Sequence, residues 1–168
     1  MTNVLLSIKP RYVEKILAGS KQVEFRRRIW KNRDIKYVYI YVSAPVKCVI
    51  GRFKVKHYTR AHVVKLWDNF SAVSGVSEEE FYKYFEDLLL GYALEISDLE
   101  VFKVPVSLKW FLFGSSVPQN FRYLTPHEKY VLQWCSQDES ASILKRMMEL
   151  GEGIFFEKLQ TMGVLKVE

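Results

Sequence analysis

The sequence predicts an α+β fold: a small mixed β-barrel or sheet with inserted helices, followed by a helical C-terminal extension. Three observations predict it. Segments with the two-residue period of strands crowd the first third of the chain, at Gln22 to Arg26, Lys36 to Ala44 and Lys47 to His57. Helical patterns are inserted between strands without the strict alternation of a doubly wound parallel sheet. After about residue 124 only helical signals remain. The expected division is a barrel domain over residues 1–124 and an extension over 125–168 packed on it.

In chain order, Asn3 to Ile8 is a short apolar strand. Pro10 suits the first turn of a helix over Arg11 to Ala18, and Gly19 sits just past its end. In Gln22 to Arg26, Val23 and Phe25 alternate with Gln22, Glu24 and Arg26. Lys36 to Ala44 is β-branched and aromatic, reads as a central strand, and is stopped by Pro45. Lys47 to His57 alternates, with Val49, Phe53 and Val55 inward and Arg52, Lys54 and Lys56 outward; Gly51 inside it marks a bulge or a close backbone approach. Ala61 to Phe70 is helical. Ser77 and Glu80 form a capping box that opens a helix to about Leu90, with Phe81, Tyr84, Phe85 and Leu88 as its buried stripe. Tyr92 to Val104 supplies one or two strands broken near Asp98, and a loop runs from Pro105 to Arg122. Thr125, Pro126 and Glu128 make a strong helix start, and Glu139 to Leu150 and Ile154 to Met162 are two further helices.

Of the 168 residues 49% are apolar and 15% aromatic, enough for a packed core and against disorder. No apolar run reaches the roughly 18–20 residues of a membrane span, so no membrane partner is expected. Met1 to Ser7 lacks the basic and hydrophobic stretches of a secretory signal, which makes the cytoplasm the expected location. With only Cys48 and Cys135 there is neither a disulfide framework nor a zinc cluster. His57 and His62 are poorly spaced for a metal and His127 is remote. With no glycine-rich phosphate loop either, no cofactor is expected.

Charge is distributed unevenly. Residues 1–60 carry 15 basic side chains against Glu14, Glu24 and Asp34, while residues 61–168 carry 10 basic and 16 acidic ones. Positive potential is thereby concentrated on the surface built by the first third, which suits a polyanion, RNA ahead of DNA. The acidic C-terminal region is the place for a protein partner.

The densest functional text is Gly19-Ser20-Lys21-Gln22-Val23-Glu24-Phe25-Arg26-Arg27-Arg28, where a helix end feeds a strand. Glu24 and Arg26 share a strand face, roughly 6–7 Å apart along it. A carboxylate flanked by two cations can hold an arginine as a rigid fork for phosphate, orient a base, or form a surface salt-bridge cluster worth about 0–1 kcal/mol. Tyr37, Tyr39 and Tyr41 form a one-face stripe able to stack bases, or to pack a core.

The string GSKQVEFR matches the G-x-K-x-x-E-x-R motif, and on it the chain resembles the ASCH domains of the PUA-like superfamily. LLSIKPRYVEKILAG is similar to that family's opening strand and helix, and YIYVSAPVKCVIGRFKV to its next pair of strands around the turn at Ser43 and Pro45. The similarity covers about residues 3–124. It implies a small barrel, a cleft lined by the motif, and RNA binding in coactivator, translation or RNA-processing contexts. Carried over, Lys21, Glu24 and Arg26 are the motif positions and Gly19 the turn presenting them. Arg27, Arg28, Tyr41, Ser43, Arg52 and Lys54 join them as nucleic-acid-binding candidates from charge and position.

Some ASCH proteins are amidohydrolases that deacetylate modified cytidine with the motif lysine, a threonine and a later glutamate. Here Glu24 replaces the threonine, and Ser74-Gly75-Val76-Ser77 holds no carboxylate before Glu78. Ribonuclease activity is also attributed to ASCH relatives, and Lys21 with Glu24 could serve it. Two neighbouring cations compete for the lone pairs a general base needs, so nucleic-acid binding is the first reading and hydrolysis the alternative.

Overall fold

The computed structural model describes residues 2–108 and 117–137. Strand β1 (Thr2–Ile8) runs into Pro10, whose missing N–H costs nothing in the first turn of helix α1 (Pro10–Leu17). α1 buries Val13 and Ile16 and ends at Gly19, whose φ of +76° only glycine adopts freely. The chain then turns into β2 (Val23–Arg26), β3 (Ile35–Val42) and the long β4 (Cys48–His62). Helices α2 (Val63–Phe70) and α3 (Glu78–Phe85) flank a short 3₁₀ turn at Ser71–Val73. They are followed by β5 (Leu90–Ser107), β6 (Phe121–Tyr123) and helix α4 (Pro126–Cys135).

The strands form one mixed sheet in the order β2-β5-β4-β3-β1-β6, parallel between β1 and β3 and antiparallel elsewhere. The sheet curls into a half-barrel rather than closing. β2 and β6 are its two end strands, and among the described residues no backbone ladder joins them. The architecture is α+β, as the sequence predicts.

Gly51 is both a bulge and a close approach. The β4 register slips at it on both sides, and a Cβ there would run into the carbonyl oxygen of Glu100 on β5. The predicted break near Asp98 is absent as an interruption. β5 is one strand that carries Asp98 at φ +45° and absorbs the strain without ending. β4 extends five residues beyond the expected His57, α2 starts at Val63 rather than Ala61, and α3 stops at Phe85 because Leu90 already belongs to β5. Hydrogen bonding to a neighbouring strand overrides helical periodicity at those boundaries. The expected loop from Pro105 to Arg122 contains the end of β5 and the start of β6.

Two cores pack against the sheet, the larger around β1, β3 and β4 and the smaller at its β2–β5 end. The main one packs Val4, Leu6, Trp30, Val38, Ile40, Ile50 and Phe53 with α1 and with Leu132 and Cys135 of α4. The smaller one joins Val23, Phe25 and Ala93 to Val63, Leu66, Phe81 and Phe85 of α2 and α3. α4 opens with the predicted capping box at Thr125 and Glu128. Glu128 also takes Arg122 in a two-pronged ion pair, Nη1 to Oε2 at 2.8 Å and Nη2 to Oε1 at 2.7 Å. Burial raises the Glu128 pKa, but these bonds outweigh it and hold the carboxyl below its usual range. Cys48 and Cys135 are buried, and burial pushes both thiols up. No helix among the described residues is long and apolar enough to cross a membrane. The middle of the expected Pro105 to Arg122 loop, residues 109–116, and the helices expected after residue 138 lie outside the described residues.

Candidate nucleic-acid interface

The alternation of β2 has an unusual outcome: both faces are buried. Val23 and Phe25 enter the smaller core, which forces Glu24 and Arg26 to the opposite face, inside the curl of the sheet. Charged side chains so placed must be satisfied by partners rather than water. Lys21, Glu24 and Arg26 are only 3%, 6% and 8% exposed. Glu24 is held between the two cations, with Oε2 3.2 Å from Lys21 Nζ and Oε1 2.9 Å from Arg26 Nη2.

The rest of the network reaches far along the chain. Lys21 Nζ donates to the Ser74 carbonyl at 2.9 Å and lies 5.5 and 5.8 Å from the ring centres of Tyr12 and Phe25. The turn carrying Ser74 is fixed in turn. Gln22 N–H donates to Val73, Lys15 Nζ donates to Gly75, and a Cβ on Gly75 would come within 2.8 Å of the Lys21 Cβ. With φ at +66°, Gly75 is the residue this packing requires.

Arg26 spans the gap that the backbone leaves open. From the β2 end of the sheet, its Nη2 donates to the Ser7 carbonyl of β1 at 2.7 Å and its Nη1 to Asn120 Oδ1, just before β6, at 2.8 Å. One guanidinium therefore ties the two edges of the half-barrel together. Because a guanidinium only donates, the oxygen of the Asn120 amide must face it, which leaves the amide NH₂ to donate elsewhere. Arg26 Nε is buried with no partner among the described residues.

A cavity of about 820 Å³ opens at this seam. Lys21, Glu24, Arg26 and Asn120 lie along it with Tyr12, Tyr41, Phe81 and Tyr84, and Lys9 and Lys47 add positive charge. Burial raises the pKa of Tyr12, Tyr41 and Tyr84, so all three hydroxyls stay neutral and able to donate. The site is thus an aromatic-walled cavity with a donor-rich floor, the form that small-ligand and base pockets take.

Of the candidates read from the sequence, Lys21, Glu24, Arg26, Tyr41 and Ser43 come together on this cavity. Arg27 and Arg28 follow them but are exposed and lie outside its lining; Arg27 pairs with Asp87 at 3.6 Å. Arg52 and Lys54 are elsewhere on the sheet, bonded to Glu100 at 2.7 Å and Asp98 at 2.9 Å, with Arg52 stacked 4.0 Å over Tyr37. Tyr39, in the same stripe, is buried and accepts a hydrogen bond from Arg52. His62 serves locally, its Nδ1 accepting from the Val64 N–H at the start of α2.

Tyr12, Lys47, Tyr84 and Asn120 were not singled out from the sequence. Tyr84 reads as part of the helix α3 core stripe but is 40% exposed, whereas Phe81 and Phe85 are buried. Lys47 stands at φ +56° in the turn after Pro45, a conformation not visible in residue type. Asn120 is brought in by the β1–β6 pairing, which no local pattern announces.

Comparison with known proteins bears on the fold and the family. An ASCH domain-containing ribonuclease of Zymomonas mobilis is 29% identical over 127 residues, covering 74% of this chain and 85% of that protein. The crystal structure of ASCH from Zymomonas mobilis matches with a TM-score of 0.74 at 28% identity, over 80% of this chain and 96% of that one. The N-terminal domain of Staphylothermus marinus McrB shares the fold, with a TM-score of 0.51 at 13% identity over 79% of this chain and 93% of that one. The family model for the ASCH domain matches residues 6–101, more than half of the chain, and the protein belongs to the ASCH domain family.

Proposed function

We propose that the seam cavity binds one nucleotide of a single-stranded RNA, and that the protein acts in the cytoplasm as an RNA-binding module. The observation carrying this reading is the Lys21–Glu24–Arg26 cluster, buried at the bottom of an aromatic-walled cavity with one net positive charge. Its unused donors are one N–H of Lys21, the second N–H of Arg26 Nη1 and the Asn120 amide, which suit phosphate or carbonyl oxygens of a nucleotide. Tyr84, exposed, and Tyr12, half-buried, supply faces on which a splayed base can stack, while Tyr41 and Phe81 are buried behind them. Glu24, with each oxygen already against a cation, serves as the anchor of Arg26 rather than as an acceptor for a base amino group. A protein partner belongs to the acidic C-terminal region in this reading.

The name of the Zymomonas mobilis relative favours a second reading, cleavage of the RNA held in the same cavity. Lys21 and Arg26 would then stabilise negative charge developing on the phosphodiester. Glu24 would again be the anchor, since both its oxygens are engaged.

Titration of a labelled single-stranded RNA at increasing salt tests the first reading. With the two phosphates flanking that nucleotide contacted, affinity should fall about 7-fold between 50 and 200 mM salt, given a slope of about 0.7 per phosphate on single strands. Binding that ignores salt, or binding no stronger to RNA than to DNA of the same sequence, overturns the reading of an RNA-binding cavity. Mass spectrometry of the same mixtures separates the two readings: intact RNA supports binding alone, and fragments support cleavage.

A further inference from the structure

The row of residues that carries Arg26 does not stop at the cavity. In the antiparallel pairing of β2 with β5, Arg26 lies opposite Tyr92, and in that of β5 with β4, Tyr92 lies opposite Arg60. Opposed residues share a sheet face, so the three form a line across three strands, each step about 5 Å. Arg33, in the segment between β2 and β3, joins the line from the side. Its guanidinium carbon is 5.1 Å from the ring centre of Tyr58 and 6.0 Å from that of Tyr92, and Arg60 is also 6.0 Å from Tyr92.

These two arginines are set apart by converging on one tyrosine ring, Tyr92, with no carboxylate of the described residues between them. Arg11, Arg27, Arg52, Lys54 and Arg122 each hold a carboxylate. Arg33 and Arg60 are exposed and, among the described residues, touch no carboxylate, only tyrosine rings. Two like charges converging on one ring without a counter-charge repel, and a bound anion would relieve that repulsion. The platform beneath them is rigid: Tyr58 accepts a hydrogen bond from Trp30 Nε1 at 3.3 Å, and Trp30 is buried. A guanidinium lying over an aromatic face keeps its N–H edge free for phosphate oxygens.

We infer that Arg33 and Arg60, stacked on Tyr58 and Tyr92, form a second subsite that holds the phosphates of the RNA strand as it leaves the cavity past Arg26. The inference rests on the reading of the cavity as a nucleotide site and extends it across β5 to β4. It makes the protein bind a run of several nucleotides, one anchored in the cavity and its neighbours tracked electrostatically along the sheet.

The test compares the full-length wild type with the double variant Arg33→Ala/Arg60→Ala on two single-stranded RNAs, a dinucleotide and an octanucleotide. Both positions are exposed, so the variant should melt with the wild type, which a thermal scan verifies. Loss of two phosphate contacts should lower the salt slope for the octanucleotide by about 1.4 and weaken it about 25-fold at 0.1 M salt, with the dinucleotide unchanged. An unchanged octanucleotide slope, or an octanucleotide that binds the wild type no tighter than the dinucleotide, overturns the subsite while dinucleotide binding upholds the cavity. Equal weakening of both RNAs also overturns it, because the arginines would then act on the cavity. If neither RNA binds the wild type, the cavity reading falls and the subsite falls with it.

Discussion

Replacement of Glu24 by alanine should destabilise the protein by about 3–5 kcal/mol, because it strands Lys21 and Arg26 as buried cations with no counter-charge. In a chain of this size each kcal/mol moves the melting temperature by about 2–4 °C, so a drop of about 6–20 °C is expected. A surface salt-bridge cluster would lose no more than about 1 kcal/mol, and the two cases are therefore well separated by a thermal scan. The effect is not confined to charge. Arg26 links Ser7 on β1 and Asn120 beside β6 to the β2 end of the sheet, and it is aligned by Glu24. Loosening it should open the seam, so the variant should also lose protection of β6 amides from hydrogen exchange before the rest of the sheet. A melting temperature within a degree or two of wild type would show that the cluster is not held as described.

Lys21→Ala should act on the ligand more than on the fold. Glu24 remains paired with Arg26 in that variant, at 2.9 Å, so no carboxylate is abandoned. What disappears is one charge-assisted donor at the cavity floor, worth about 1.5–3 kcal/mol, or about 10–100-fold in affinity for single-stranded RNA. Lys21→Met keeps most of the side-chain volume against Gly75, Tyr12 and Phe25, and separates loss of charge from loss of packing. Equal weakening by both variants assigns the effect to the ammonium. Unchanged RNA binding in both would remove Lys21 from the interface.

How much of this was legible in the sequence depended on distance along the chain. Lys21, Glu24 and Arg26 are contiguous with a glycine turn and an alternating strand, so their shared face could be read locally, and the capping boxes at Ser77 and Thr125 likewise. Their burial could not. It arises because the other face of β2 is claimed by Phe81 and Phe85, more than fifty residues later. Arg52 and Lys54 looked like free cations because the acids that engage them, Glu100 and Asp98, arrive through β4–β5 pairing whose register slips at Gly51 and between Arg52 and Lys54. Asn120 had no signal at all: its place opposite Arg26 follows from β1 lying between β3 and β6. The strands were legible in their alternation and the barrel in the family resemblance, whereas its incomplete closure, with a guanidinium across the gap, required the topology.

Photo-crosslinking tests the central claim most directly, since it reports where on the surface RNA sits. A single-stranded RNA carrying 4-thiouridine is bound to the full-length protein at low salt, irradiated, and the attached peptides are identified by mass spectrometry. Crosslinks should concentrate on peptides bearing Tyr12 and Tyr84, the accessible aromatic walls of the seam cavity. Crosslinks that instead fall on the exposed aromatics Tyr123, Tyr130 and Trp134, with none on the cavity walls, would contradict the account and move the interface to helix α4 and its approach.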